Sequence, residues 1–445
     1  MSSPAELSPI QAVTHPDPYP YYAELVERRP FYFDDTLRCW VASSADAVTV
    51  VLGRPDCQVR PAAEPVPRGI LGTPAGEVFG NLVRMTDGPS QHRLKAVVVD
   101  ALGRVPAGEV SATSTERARL ILKRSVAPLQ VSEHRSEVRA RSGAIGNAVS
   151  EHRSEVRARS GAIGNAVSEH RSEVRARSGA IGSELDDLMF ALPAQVIAGL
   201  CGLDDGADER ASELIGEFVQ CLPATASPDQ LAGAVRAAAE LQQLMGPKLS
   251  EESTGLLGEL VRAARRADWS EQAPLLANGI GFLSQTYDAT AGLIGNAIVA
   301  LAREGRPAEL EPFVREVARH DSPVHNTRRF ATLAFDYAGC QVEQGESLLL
   351  VLAAANRDGS VNPEPASFRT DRSTPVLFTF GAAGHGCPGE ELAVRIATAA
   401  VEQLLEAGIE PAQLCGSGVG YRPSGNIRTP VFPGAVRATE ARASA

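Results

Sequence analysis

No stretch of 18 consecutive apolar residues occurs anywhere in the chain. No segment therefore reads as a membrane-spanning helix. The opening residues lack a basic region followed by an apolar core, so nothing there reads as a secretory signal. Positive charge is not in excess. The net charge of −11 argues against non-specific binding to nucleic acid. No two cysteines stand at C-x-x-C spacing. The seven present (39, 57, 201, 221, 340, 387 and 415) are scattered and odd in number, which suits reduced thiols better than a disulfide framework. These absences predict a cytoplasmic protein that engages neither membrane nor nucleic acid. What is present in quantity is hydrophobic residues, 44% of 445, enough for a substantial core.

One stretch organises the rest: Phe380-Gly-Ala-Ala-Gly-His-Gly-Cys-Pro-Gly389, between the apolar run Pro375–Phe380 and an amphipathic segment from Glu390 to Leu405. A helix N-terminus carries partial positive charge and unpaired N–H groups, which favour an ionised Cys387. Gly381, Gly384, Gly386 and Gly389 allow the backbone to approach a bulky flat group closely. A thiolate presented in this way is a metal ligand or a nucleophile. Three readings compete for the loop. A nucleotide-binding turn requires G-x-G-x-x-G and a following strand-helix unit, and neither is found. A structural zinc site requires a second Cys/His pair at ligand spacing, which is missing. The third reading is a haem iron held by a thiolate.

The stretch resembles the haem-binding loop of the cytochrome P450 superfamily, F-G-x-G-x-H/R-x-C-x-G, with Phe380, Gly381, His385, Cys387 and Gly389 in place. Ala383 stands where the second glycine is usual. The resemblance implies a mainly α fold with a small β portion. It also implies one haem b between a long central helix and the helix after the cysteine, with Cys387 as the metal ligand.

The chain in order supports the resemblance. A proline-rich entry, His15–Tyr22, leads to a short helical pattern over Ala23–Arg28. Phe31–Phe33 and Cys39–Ala42 read as a hairpin, Asp46–Leu52 as a helix, and residues 61–86 as a long irregular loop. Gly88 and Pro89 suit the entrance of a helix on which Gln91 and Lys95, four apart, share a face. The family resembled has a His and an Arg at these two places, holding the haem propionates. Gln91 and Lys95 are weaker versions, and the bland alternative is a solvated helix face. His92 and Arg93 would serve if the register slipped by one.

Residues 131–182 hold three copies of one unit. The segment 131–148 recurs unchanged at 149–166, and a third copy over 167–182 matches for its full sixteen residues. The period of 18 equals five turns of a 3.6-residue helix, but two glycines per unit weaken a continuous helix by about 1 kcal/mol each. A tandem duplication inside a surface connection of one haem-thiolate domain (1–445) is the simplest account. A partner-binding arm is the alternative, each full unit carrying three Arg against two Glu.

Glu184–Leu200 reads as an amphipathic helix broken at Pro193, and residues 205–270 as two or three charged helices. Ala277–Arg303 reads as a long buried helix with Asp288 as its sole interior charge, and a buried carboxylate has either a partner or a task. In the family resembled, the central helix carries A/G-G-x-D/E-T across the oxygen-binding face of the haem. Anchored on Leu293–Asn296, the match here is Gln285-Thr286-Tyr287-Asp288-Ala289-Thr290. Asp288 takes the acidic place, Thr286 replaces the glycine and Ala289 replaces the threonine that orders water. Thr290 lies one residue on, about 100° around the helix. The resemblance thus makes Asp288, Thr286, Ala289 and Thr290 the candidate catalytic positions.

Glu316 and Arg319 fit the family's E-x-x-R pair, with Arg369 or Arg372 as the third, structural partner. After Pro323, Val324, His325 and Asn326 are candidate substrate neighbours. Arg329, or alternatively Arg328, would hold a propionate. His325 reads more simply as a local hydrogen-bonding residue. Leu348–Ala355 and Asn356-Arg-Asp358 read as a strand leading into a helix, and residues 420–426 as a hairpin. The cofactor-binding set implied is Gln91, Lys95, Arg329, His385 and Cys387. The activity implied is insertion of one atom of O2 into a small organic molecule, a bacterial specialised metabolite being the expected class. Electrons would come from a separate ferredoxin or flavodoxin, and the protein would be a monomer. The rival readings are an atypical haem-thiolate enzyme (peroxide-driven, coupling or rearrangement), favoured by Ala289, and a low-turnover haem protein that recruits partners.

Overall fold

A computed structural model describes residues 7–123, 185–204, 206–223 and 225–433. The triplicated repeat at 131–182 lies outside the described residues. A helix of 33 residues, Gln272–Glu304, runs through the middle. At 1.5 Å per residue it is about 50 Å long. Its residues are apolar on every face, and those from Ala277 to Ser284 and from Thr290 to Leu301 are buried. That pattern marks a helix enclosed by protein on all sides rather than one lying on a surface. The helices Pro74–Asn81, Leu192–Leu200, Leu310–His320 and Glu390–Glu406 pack against it. At Gly292 an added Cβ would lie 2.9 Å from the carbonyl oxygen of Arg428, so glycine is what lets the 428–430 strand cross so closely.

The β portion is small. β1 (Phe31–Asp34), β2 (Cys39–Ala42), β3 (Cys57–Gln58), β4 (Thr327–Ala331) and β7 (Ser347–Leu350) form one sheet in the order β1-β2-β7-β4-β3. β2 runs parallel to β7, while β4 is antiparallel to it, with Arg329 opposite Leu348. Leu348, Leu349 and Leu350 are all buried, as a central strand covered on both faces requires. β5 (Phe335–Tyr337) pairs with β6 (Cys340–Val342), and β8 (Gly420–Tyr421) with β9 (Pro430–Val431). The last pair is the expected C-terminal hairpin.

Two expectations need correction. Residues 61–86 are not irregular throughout, because a helix spans Pro74–Asn81, capped by the Thr73 side chain and opened by Pro74 at its first position. Pro193 breaks nothing. Helical backbone runs on from Leu185 to Leu200, and the missing proline N–H is accommodated where a π-helical turn over Asp187–Ala191 gives way to the Leu192–Leu200 α-helix. The charged region resolves into three helices, Ala207–Phe218, Pro228–Met245 and Gly255–Arg266.

Glu316 and Arg319 lie on the Leu310–His320 helix and are buried together, with side chains 3% and 0% exposed. Arg319 donates to both carboxylate oxygens through Nε (2.8 Å) and Nη2 (2.7 Å), a bidentate pairing. The third guanidinium is that of Arg372, whose Nε donates to Glu316 Oε1 at 3.2 Å. Arg369 contributes its backbone N–H to the same oxygen at 2.9 Å, while its side chain pairs with Glu364 and Asp371 at the surface. The sequence left both arginines open, and the geometry separates them. Arg372→Ala removes one partner of a buried carboxylate and should cost about 2 kcal/mol. Arg369→Ala, which keeps the N–H bond, should change stability by less than about 0.5 kcal/mol. Denaturant unfolding of the two variants checks the contrast, and equal losses would contradict it.

Candidate functional site

The cysteine loop is built from two 3-10 turns, Phe378–Phe380 and Ala383–His385, rather than from extended strand. The Cys387 N–H donates to the Phe380 carbonyl at 2.7 Å and that of Gly386 to Ala383 at 3.1 Å, so the loop closes on itself. Among the loop glycines only Gly381 takes a left-handed backbone conformation, with φ of 67°. Ala383, at the place where glycine is usual, is forced to φ of 52°. A left-handed conformation strains a residue with a Cβ by roughly 1–2 kcal/mol, and glycine's greater unfolded-state freedom offsets part of that.

Cys387 is open to a solvent-sized sphere from one side, yet it is surrounded by protein at longer range. The balance of influences differs from that expected at a helix N-terminus. Burial pushes the thiol up, and the Glu390 carboxylate adds to it. The Gly389 N–H and the Lys95 ammonium pull the other way without overcoming burial. The free thiol is thus held protonated, and a bound cation would be what ionises it.

The Pro89–Leu102 helix begins after Gly88, at φ of 87°. It brings Gln91 and Lys95 to the cysteine loop on one face. Gln91 is buried and donates through Nε2 to the carbonyls of Gly384 (3.3 Å) and Val83 (3.4 Å), and Lys95 donates to the Gly386 carbonyl. Neither sits on a solvated face. His385 Nε2 lies 3.0 Å from Asp87 Oδ1, a partner that sequence reasoning missed. Arg329 is 5% exposed, bonds only to Thr327 Oγ1 and the Arg328 carbonyl, and has no carboxylate within ion-pair distance. Burial lowers its pKa, with Asp87 opposing. Arg328 is exposed.

These groups fit a haem. The Oε1 of Gln91 is sealed from solvent and has no hydrogen-bond partner. Lys95 and Arg329 are cations without acidic partners, in the neighbourhood of an accessible sulfur. A buried guanidinium is stable only beside an anion, which the protein itself does not supply here.

On the central helix, residues 285–289 are half-buried and Thr290 is buried. Asp288 and Ala289 line a large cavity, 1860 Å³ in volume. Thr286 does not reach that wall, because its hydroxyl donates back to the Phe282 carbonyl at 2.7 Å. Thr290 likewise lies off the cavity. Burial holds the Asp288 carboxyl above the usual carboxylate range, with the cations Arg422 and Arg84 opposing. Val324 and Asn326 line the cavity as expected of substrate neighbours, and His325 does not. His325 Nδ1 instead lies 2.7 Å from the Tyr22 hydroxyl, and burial lowers its pKa to about 3. Arg84 is the cavity residue that the sequence reading missed. The available signal was a lone charge inside the apolar run Leu82-Val-Arg-Met85.

A long buried helix, a small mixed sheet, and a cysteine loop ahead of a helix that packs on the long one define the class: this is the haem-thiolate fold. No family model matches the chain. Cytochrome P450 107B1 of Saccharopolyspora erythraea is 31% identical over 232 residues, covering 50% of this chain and 56% of that protein. The 20-oxo-5-O-mycaminosyltylactone 23-monooxygenase of Streptomyces fradiae is 32% identical over 179 residues, covering 38% of this chain and 42% of that one. The chain thus spans about half the length of the curated relatives it matches. The crystal structure of CalO2 superposes with a TM-score of 0.68 at 20% identity, covering 94% of this chain and 96% of that one. The chain has the cytochrome P450 fold and is similar in sequence to bacterial cytochromes P450 over about half its length.

No described helix is long and apolar enough to cross a membrane.

Relieving the strain at Ala383 gives a direct test of the loop geometry. Ala383→Gly should raise unfolding stability by up to about 1 kcal/mol and slow loss of the bound cofactor. Thermal unfolding and cofactor retention on dilution read both effects, and a variant less stable than wild type would show that the backbone is not strained there.

Proposed function

We propose that this chain is a haem-thiolate monooxygenase, with a haem b ligated by Cys387 and a small-molecule substrate in the cavity beside Asp288 and Ala289. The observation that carries the reading is the accessible Cys387 sulfur with the half-buried Lys95 on its loop and the buried Arg329, neither of which has an acidic partner within ion-pair distance among the described residues. Lys95, Arg329 and His385 would hold the propionates, and Gln91 would donate a further contact only with its amide turned over to present Nε2. A haem held there supplies reductive activation of O2 and insertion of one oxygen atom into the substrate, the thiolate favouring O–O cleavage. The chain's own residues orient the substrate, exclude water and position protons. Asp288, whose carboxyl burial holds above the usual carboxylate range, is a candidate proton carrier at the cavity wall.

Electrons would come from a separate ferredoxin or flavodoxin docking on the cysteine side, to a monomer in the cytoplasm. Tailoring of a bacterial specialised metabolite is supported by the name of the Streptomyces fradiae relative.

The absorption spectrum of the reduced protein under carbon monoxide tests the core of this reading. A Soret band at the thiolate-ligated position is expected, and Cys387→Ser should abolish it. A protein that takes up no haem, or shows the band of a neutral ligand, would overturn the assignment.

A second reading has its own observation. The Thr286 hydroxyl is tied to backbone, Thr290 lies off the cavity, and Ala289 offers no hydroxyl at all. A site built this way suits peroxide-driven or coupling chemistry, in which no ordered water need deliver a proton. Ala289→Thr separates the two. Under the monooxygenase reading, NADH-driven product formation rises several-fold and peroxide leakage falls. Unchanged coupling, with full turnover on hydrogen peroxide alone, would favour the second reading.

A further inference from the structure

The cavity wall carries the carboxylates Asp186, Asp187, Glu209, Glu213 and Asp288 and four arginines, and two of the arginines have an Nε that is sealed and unpartnered. Arg84 follows the Pro74–Asn81 helix in the 3-10 turn Val83–Met85, and its side chain faces the cavity. The half-buried side chain has its Nε sealed from solvent and unpartnered, and no described residue makes a hydrogen bond or ion pair with the guanidinium. Arg60 lines the same cavity, stacked over the Phe79 ring, and its Nε is also sealed and unpartnered. One Arg60 Nη2 bond goes to the Glu64 carbonyl at 2.8 Å, and the Glu64 carboxylate is 3.8 Å away. Arg422, by contrast, is neutralised by Asp186 at 2.9 Å. A guanidinium has five donors and no means of losing its charge, so leaving one buried without an acceptor is costly. The acid nearest in influence is Asp288, which makes no bond to Arg84 and is itself held above the usual carboxylate range.

We propose that Arg84, with Arg60 on the same cavity, receives a carboxylate of the substrate, so that this site takes an acidic small molecule with an apolar body. The inference rests on the monooxygenase reading for what happens to that molecule, but not for how it binds. A planar carboxylate matches the guanidinium fork, accepting two parallel hydrogen bonds where the protein supplies none. Phe79, Met85, Phe190, Leu222 and Val324 provide apolar wall for the remainder. The 1860 Å³ is the volume without the proposed haem, and the apolar body of the substrate would take what the haem leaves.

The test compares matched acid and alcohol probes by equilibrium dialysis against the purified full chain: dodecanoic acid with dodecan-1-ol, and 2-naphthoic acid with 2-naphthol. In wild type, the acid of at least one pair should bind ten-fold or more tightly than its alcohol. Arg84→Gln should reduce acid binding ten- to hundred-fold and leave alcohol binding unchanged. Arg84→Lys should recover part of the preference, since it keeps the charge and loses the fork. A general packing role for Arg84 would weaken both members of a pair alike. No acid preference in either pair, or a preference that survives Arg84→Gln, overturns the proposal. The carbon monoxide spectrum of the same samples keeps the two readings apart. Selective acid binding without a thiolate band would sustain the anion site and sink the monooxygenase, and a thiolate band without acid selectivity would do the reverse.

Discussion

The buried carboxylate of Glu316 is the constraint on which the cysteine side of the molecule depends. It is stable in the interior only because two guanidinium groups and a backbone N–H converge on it, Arg319 from its own helix and Arg369 and Arg372 from the proline-rich segment about 50 residues on. Arg319, fixed by that pairing, also donates to the carbonyls of Asn356 (3.3 Å), Pro365 (3.0 Å) and Ser367 (3.1 Å). Asn356 in turn accepts the Phe378 N–H at 2.6 Å and donates to the Thr379 hydroxyl at 2.7 Å. Thr379 is joined to Ser322 and to the Ala318 carbonyl. The last link is the Cys387 N–H on the Phe380 carbonyl. Buried polar bonds thus lead from one ion pair to Phe378 and Thr379, and the backbone carries the link on through Phe380 to the Cys387 N–H.

This explains why part of the site was legible in the sequence. A single cysteine between glycines, a charged pair about 70 residues before it, and Asn356 between them are local features whose order and spacing survive folding. The same logic marks where legibility ends. Whether Arg369 or Arg372 completes the ion pair depends on how the proline-rich segment folds back, which spacing does not encode. Spacing also predicted that Gln91 and Lys95 share a face, but not that both would reach carbonyls of the cysteine loop. Arg84 and Asp87 were invisible because their roles depend on what lies across the cavity or the loop, hundreds of residues away in sequence for His385 and Asp288.

The cysteine itself shows two effects in competition. A helix N-terminus, which sequence alone gives, and the Lys95 ammonium, which the fold brings to the loop, favour the thiolate. Enclosure by protein favours the thiol, and it prevails. The two statements are reconciled by the ligand. A sulfur that is held protonated when free, yet accessible from one side, exchanges its proton for a cation rather than acting as a free nucleophile, which suits an axial ligand better than a covalent catalyst.

The same competition operates on the other side of the cavity. Asp288 sits above the usual carboxylate range because burial outweighs Arg422 and Arg84. Arg422 is already committed to Asp186. Arg84 is therefore the uncommitted cation acting on Asp288, and an anion seated on it would offset the charge that favours the ionised carboxyl. Binding of an acidic substrate would drive the Asp288 pKa further up and increase the fraction that carries a proton.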